Sequence, residues 1–176
     1  IRLAKAYVLI TCESGSEDYV LSSLRSIDSV KMATGVFGTY DILTKLEVSS
    51  EDLLKDIITK KIRKLPRIRA TYTLMADGKN TIVKKIDGKD VLDTYMSYAY
   101  ILLDCEKGKE VDTLQNLSKI TEVIDGDVLF SSQIICNVVA PTYNEISDIV
   151  TKKIRKLAGI KGTTTLNVIN HKPRSF

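Results

Sequence analysis

The side chains with the widest chemical reach in this sequence are three cysteines, one histidine and a basic run that occurs twice. Cys12 and Cys105 occupy matching places in AYVLITCESGSE (6–17) and AYILLDCEKGKE (99–110), and a glutamate follows each. Two soft ligands related in this way could bind a thiophilic metal. Both close an apolar, strand-like run, where a cysteine is a small buried hydrophobe with no further role, so no metal site is predicted. With Cys136 the count is odd and no CxxC spacing exists, which excludes a disulfide framework and fits reduced, buried thiols. His171 follows the last apolar segment and reads as an exposed terminal residue rather than a base or axial ligand. The run TKKIRKL appears at 59–65 and again at 151–157. On a helix, Leu54, Ile58, Ile62 and Leu65 make an apolar stripe, which leaves Lys60, Lys61, Arg63 and Lys64 on the solvated arc. A net charge of +4 is mild for a duplex-binding module, so direct DNA binding by this chain is not expected. No P-loop, dinucleotide fingerprint, HExxH or nucleophile elbow occurs, and the expectation is a non-catalytic protein without a cofactor.

The elements that must position these residues come from a duplication. DIITKKIRKLPRIRATYTL (56–74) aligns without a gap on DIVTKKIRKLAGIKGTTTL (148–166), and Leu24, Ile27 and Val30 fall on Leu117, Ile120 and Val123. One residue is lost between Val123 and Val128. The basic run recurs because the whole unit recurs. Each copy reads strand–helix–strand–strand–helix–strand. In the first, the elements are predicted at 6–12, 17–26, 30–37, 41–48, 49–65 and 68–74, with Ser49 or Ser50 capping the second helix and Pro66 ending it. In the second they are predicted at 98–105, 110–120, 122–130, 133–139, 142–157 and 161–169.

This order defines an α+β fold of two tandem ferredoxin-like βαββαβ units. The boundaries are predicted as 1–76 for the first repeat, 77–96 for a linker and 97–171 for the second repeat. Both faces of the central strands are apolar, with Val8 and Ile10 against Tyr7 and Leu9, and Ile42 and Leu46 against Leu43. Helices cover only one face, and a unit of this size has little core to spare. The expectation is that the two sheets pack face to face as an intrachain pseudo-dimer.

Apolar residues at 44% and charged residues at 27% are ordinary for a globular chain. The longest apolar runs fall far short of the roughly 20 residues that span a bilayer. No secretory pattern opens the sequence, and a cytoplasmic protein without membrane contact is expected. The chain begins at Ile1 rather than Met, which leaves room for a segment upstream.

VFGTYDILTKLEV (36–48) resembles the Gly-x-Tyr/Phe-Asp hairpin of the effector-binding (RAM) domain of the Lrp/AsnC regulators. The opening AYV strand, a helix ending LxxI, and an ATYT strand similar to the family's T-x-T closing strand agree with it. The resemblance implies a small effector, typically an amino acid, held where subunits meet. Carried over by position, it implicates Gly38, Tyr40 and Asp41, with Thr71 and Thr73 as weaker contributors. A glycine turn lets backbone groups approach a ligand, and a carboxylate can pair with an ammonium group. The bland alternative is that Gly38 makes a hairpin turn which Asp41 caps. The second repeat has Phe130, Ser132 and Gln133 at these places, so its copy of the turn is degenerate and serves packing.

The expected function is that of a stand-alone regulatory protein which binds an effector at a homo-oligomer interface and modulates transcription. It would act through a DNA-binding partner of the Lrp/AsnC type. Three alternatives stand beside it: a ferredoxin-like α+β enzyme such as a monooxygenase, a metal sensor, and a ligand-free oligomerisation module.

Overall fold

The computed structural model describes residues 3–84 and 96–169. The chain divides into two compact units, Ile1–Gly78 and Lys79–Phe176.

The first unit is built from β1 (Ala4–Cys12), α1 (Glu17–Arg25), β2 (Val30–Phe37), β3 (Ile42–Val48), α2 (Glu51–Ile57) and β4, which begins at Ile68. Its antiparallel sheet runs β4-β1-β3-β2, with β1 between β3 and β4. Ala6, Val8 and Ile10 on β1, and Ile42 and Leu46 on β3, join Val20, Leu21, Leu24, Leu54 and Ile62 from the helical side in one core. Fully burying each such side chain contributes about 1.5–3 kcal/mol. Tyr7, Leu9 and Leu43 point to the other face and are also buried, so both faces of the central strands are covered, as their alternation requires.

The second unit repeats the order with β5 (Ser97–Cys105), α3 (Glu110–Ser118), β6 (Val123–Leu129), β7 (Gln133–Ala140), α4 (Tyr143–Ile149) and β8 (Ile160–Val168). Its antiparallel sheet runs β8-β5-β7-β6. Ala99, Ile101, Leu103, Ile134, Cys136 and Val138 pack against Leu114, Leu117, Ile146 and Ile154.

Two features depart from the sequence reading. Each second helix is not α-helical to its end, because a π-helical turn takes over at Ile58–Ile62 and again at Val150–Ile154. Arg63 N–H donates to Ile58 O at 2.9 Å, and Arg155 N–H to Val150 O at 2.9 Å. The wider turn keeps Ile57, Ile58 and Ile62 all buried, whereas the basic residues beside them stay exposed. The first cap follows expectation, with Ser50 accepting from Leu53 N–H at 3.2 Å; in the second copy Thr142 accepts from Glu145 N–H at 3.2 Å.

The second departure is β4, which does not stop near Leu74 but runs to Val83. The pair Asp77-Gly78 suits a turn, yet Gly78 takes its φ of +71° inside the strand. Beyond it Thr81 Oγ1 donates to Gly126 O at 3.0 Å and Lys84 N–H to Ile124 O at 3.2 Å. These residues, 79–84, belong to the second unit, and their pairing with β6 within it continues the strand where local signals suggest a linker. The rest of that predicted linker lies outside the described residues.

Candidate functional site

Gly38, Tyr40 and Asp41 form one turn between β2 and β3. Gly38 has φ of +123°, in the region that favours glycine, and beyond its chain neighbours no atom lies within 4 Å of where a Cβ would stand. The turn is thus open to a ligand on the side that a side chain would have filled. Tyr40 is half-buried, and Phe37 beside it is exposed.

Asp41 ties three strands together. Its N–H donates to Ile10 O at 2.9 Å, its carbonyl accepts from Val36 N–H at 2.9 Å, and its Oδ2 accepts from Cys12 N–H at 2.9 Å. A carboxylate has lone pairs for further donors, so this anchor leaves it competent to meet an ammonium group. The second unit lacks the carboxylate and solves the same problem with backbone: Ser132 O accepts from Cys105 N–H at 3.0 Å, with Ser132 at φ of +56°. Gln133 turns outward and donates through Nε2 to Asp104 Oδ1 at 2.8 Å.

The two threonines sit across β1 from this turn. Thr71 is paired with Ile10 and Thr73 with Val8, both on the face that the helices cover. Thr71 Oγ1 accepts from Arg63 Nε at 3.3 Å, and the second unit repeats the contact between Arg155 Nε and Thr163 Oγ1 at 2.9 Å. That bond joins the π-helical turn to the closing strand, which is a structural use shared by both copies. Thr73 Oγ1 is buried and accepts no hydrogen bond among the described residues. Gly38, Tyr40 and Asp41 thus share one turn, and Thr71 and Thr73 lie on the strand at the other side of β1.

Cys12 and Cys105 are buried in the cores of their own units. Burial first, and then the charge of Asp41, raises the Cys12 thiol pKa, and burial pushes Cys105 up to about 11. Both thiols hold their protons near neutral pH. Among the described residues, no group of three or more His, Cys, Asp or Glu side chains could hold a metal ion. His171 lies outside the described residues.

A groove of about 340 Å³ lies in the second unit, where Met96, Val139 and Pro141 face Glu122, Glu145 and Asp148. Each carboxylate already has a partner: Glu122 pairs with Lys153, Asp148 with Lys152, and Glu145 Oε2 accepts from Thr142 Oγ1. The groove contains none of the residues singled out from the sequence.

The first unit is thus a βαββαβ fold with an open glycine turn held in place by the adjoining aspartate. The family described as "Lrp/AsnC ligand binding domain" matches residues 5–76, and the chain belongs to that family through its first unit. FFRP-DM1 is 37% identical over 42% of this chain and 97% of its own, with a TM-score of 0.41. The hypothetical protein PHS023 from Pyrococcus horikoshii is also 37% identical, over 42% of this chain and 88% of its own, with a TM-score of 0.41. Over 94% of this chain and 71% of its own, the siroheme decarboxylase NirDL has a TM-score of 0.68 at 8% identity, a likeness of fold alone. No curated protein matches. Among the described residues every helix lies between strands, so no helix-turn-helix is present there, and no helix is long and apolar enough to cross a membrane.

Proposed function

We propose that this protein is a non-catalytic regulator whose first unit binds a small zwitterionic effector, an amino acid, at the Gly38–Asp41 turn. The observation that carries the reading is the fixed carboxylate of Asp41 beside an unobstructed glycine backbone, in the unit that belongs to the ligand-binding family. The ammonium group would meet Asp41, backbone N–H groups of the turn would meet the carboxylate, and Phe37 and Tyr40 would flank the side chain. The turn is exposed, so a second copy of the chain supplies the remaining wall in a homo-oligomer. Occupancy then alters assembly, and the signal reaches transcription through a partner that carries the DNA-reading element. In the second unit Phe130, Ser132 and Gln133 offer no carboxylate, and one effector per chain is expected.

A thermal-shift screen of the twenty amino acids, followed by calorimetry on each hit, tests the reading. Asp41→Asn keeps an oxygen for Cys12 N–H but removes the charge, and it should weaken the effector at least tenfold. Equal binding by wild type and variant removes the turn from consideration. Sedimentation equilibrium that shows only monomer at micromolar concentration, with and without effector, removes the interfacial site.

A further inference from the structure

Three exchanges between the repeats fall at one end of the unit, around the last residues of β1. Asp41 has Gln133 as its counterpart, Arg67 has Gly159, and Tyr19 has Asp112. At the second of these places the backbone is left-handed in both copies, with φ of +71° at Arg67 and +90° at Gly159. Its task is also the same in both. Arg67 O accepts from Glu13 N–H and Gly159 O from Glu106 N–H, each at 2.8 Å. Glycine takes this conformation freely, whereas a residue with a side chain is strained in it. The fold is served by glycine, so the arginine is explained by its side chain and not by its backbone.

The Arg67 guanidinium lies over the Tyr19 ring, 4.8 Å from its centre. Stacking on an aromatic face leaves the N–H groups in the guanidinium plane free to bond. Among the described residues no carboxylate or carbonyl claims them. Glu13 gives its N–H to Arg67, and Glu17 and Asp18 share the first turn of α1 with Tyr19, yet none of the three pairs with the guanidinium. A planar fork held in this way fits a carboxylate in two-pronged fashion.

Where the fork stands relative to the Gly38–Asp41 turn follows from β1. Asp41 Oδ2 accepts from Cys12 N–H at 2.9 Å, and Arg67 O accepts from the next amide along the strand. Because β1 lies between β3 and β4, the two residues flank its end, about 9–10 Å apart by strand spacing. Two charge-assisted bonds of about 2.7–2.9 Å leave roughly 4 Å between them. The ammonium group and side-chain carboxylate of aspartate or glutamate span such a gap.

We infer that the effector is a dicarboxylic amino acid, its ammonium group on Asp41 and its side-chain carboxylate in the Arg67 fork that Tyr19 supports. The ammonium end rests on the reading of the Gly38–Asp41 turn; the carboxylate end does not. Arg67 then sets specificity, since an amide or an apolar side chain leaves the guanidinium without its anion. The second copy lacks the carboxylate, the guanidinium and the ring together, as the absence of one ligand requires.

Calorimetry with L-glutamate and L-aspartate, against L-glutamine and L-asparagine, tests the assignment. One of the acids should bind wild type at least tenfold more tightly than its own amide. Arg67→Gly adopts the second unit's solution, so it should melt no lower than wild type and bind acid and amide equally. Should Arg67→Gly not fold, Arg67→Gln gives the same comparison. No saturable binding of either acid, equal binding of acid and amide by wild type, or a preference that survives the loss of Arg67 would overturn the assignment. The turn is read separately. Binding of some other amino acid that is lost in Asp41→Asn keeps the turn and removes Arg67. An acid weakened by Arg67→Gly but not by Asp41→Asn removes the turn and the ammonium end, and leaves the carboxylate end standing.

Discussion

Replacing Asp41 by alanine removes the acceptor that Oδ2 offers to Cys12 N–H at 2.9 Å. This bond is charge-assisted and part-buried, and it joins positions 29 residues apart. Leaving such a donor dry costs about 1–3 kcal/mol. For a chain of this length each kcal/mol moves Tm by about 2–4 °C, so Asp41→Ala should melt roughly 2–12 °C below wild type. Asp41→Asn retains a neutral acceptor at the same place, and its loss should stay under about 6 °C, since a neutral bond is roughly half as strong. The two variants separate anchoring from recognition: alanine loses both, whereas asparagine loses only the charge that an ammonium needs. Losing that charge should weaken the effector by about tenfold or more. Both substitutions also remove a charge that holds the Cys12 thiol pKa up, so the pH at which a small disulfide reagent begins to react with it should fall. Differential scanning calorimetry, effector titration and thiol-reaction rates against pH read the three effects. If Asp41→Ala melts with wild type, the carboxylate does not anchor the turn, and the reasoning fails at its first step.

Gly126→Ala should cost about 1–3 kcal/mol by overpacking, because its Cβ would come 3.2 Å from Ile135 O and 3.3 Å from Cys136 Cβ; urea unfolding measures it. The folded state holds the Cys105 proton up to about pH 11, whereas the unfolded chain releases it at the ordinary thiol pKa. The stability from this group is complete below that ordinary value and declines as pH rises from it to about 11, by about 1.4 kcal/mol for each pH unit crossed. Cys105→Ala should flatten the alkaline limb of a stability–pH curve, and an unchanged slope would refute the assignment. Its hydrogen bond from Lys153 holds Glu122 below the usual carboxylate range, so their contact stabilises above the ordinary carboxylate pKa and is lost as pH falls through the lowered one. Lys153 is 52% exposed, and Lys153→Met should cost only about 0.2–1 kcal/mol at neutral pH, with the difference closing in acid; parallel melts at both pH values measure it.

Much of the fold was legible because it rests on local periodicity written twice. The alternation of Tyr7, Val8, Leu9 and Ile10 required a central strand covered on both faces, and both faces are buried. The stripe of Leu54, Ile58 and Ile62 placed the basic residues outward, and they are exposed. The π-helical turns were not legible, since the same apolar stripe fits an α-helix; in the structure the turn accompanies burial of both Ile57 and Ile58. Nor was the reach of β4 to Val83, because the partner that extends it, β6, lies more than forty residues further along the chain. In the candidate site, proximity in sequence gathered Gly38, Tyr40 and Asp41 at one turn. Thr71 and Thr73 were drawn from another segment, and strand pairing set them across β1 from it. Arg67 carried a faint signal, standing where the second copy has Gly159.

The sequence by itself determined the duplication, the order of elements in each copy, and which residues alternate between the two faces of each sheet. These follow from covalent spacing, and no distant partner has to be known. Tertiary structure alone decided that Asp41 holds Cys12 N–H, that a backbone carbonyl replaces it in the second copy, and that Arg67 meets the next amide of β1 from the other side. Each is a contact between separate strands, and strand register, which the whole sheet settles at once, determines who meets whom.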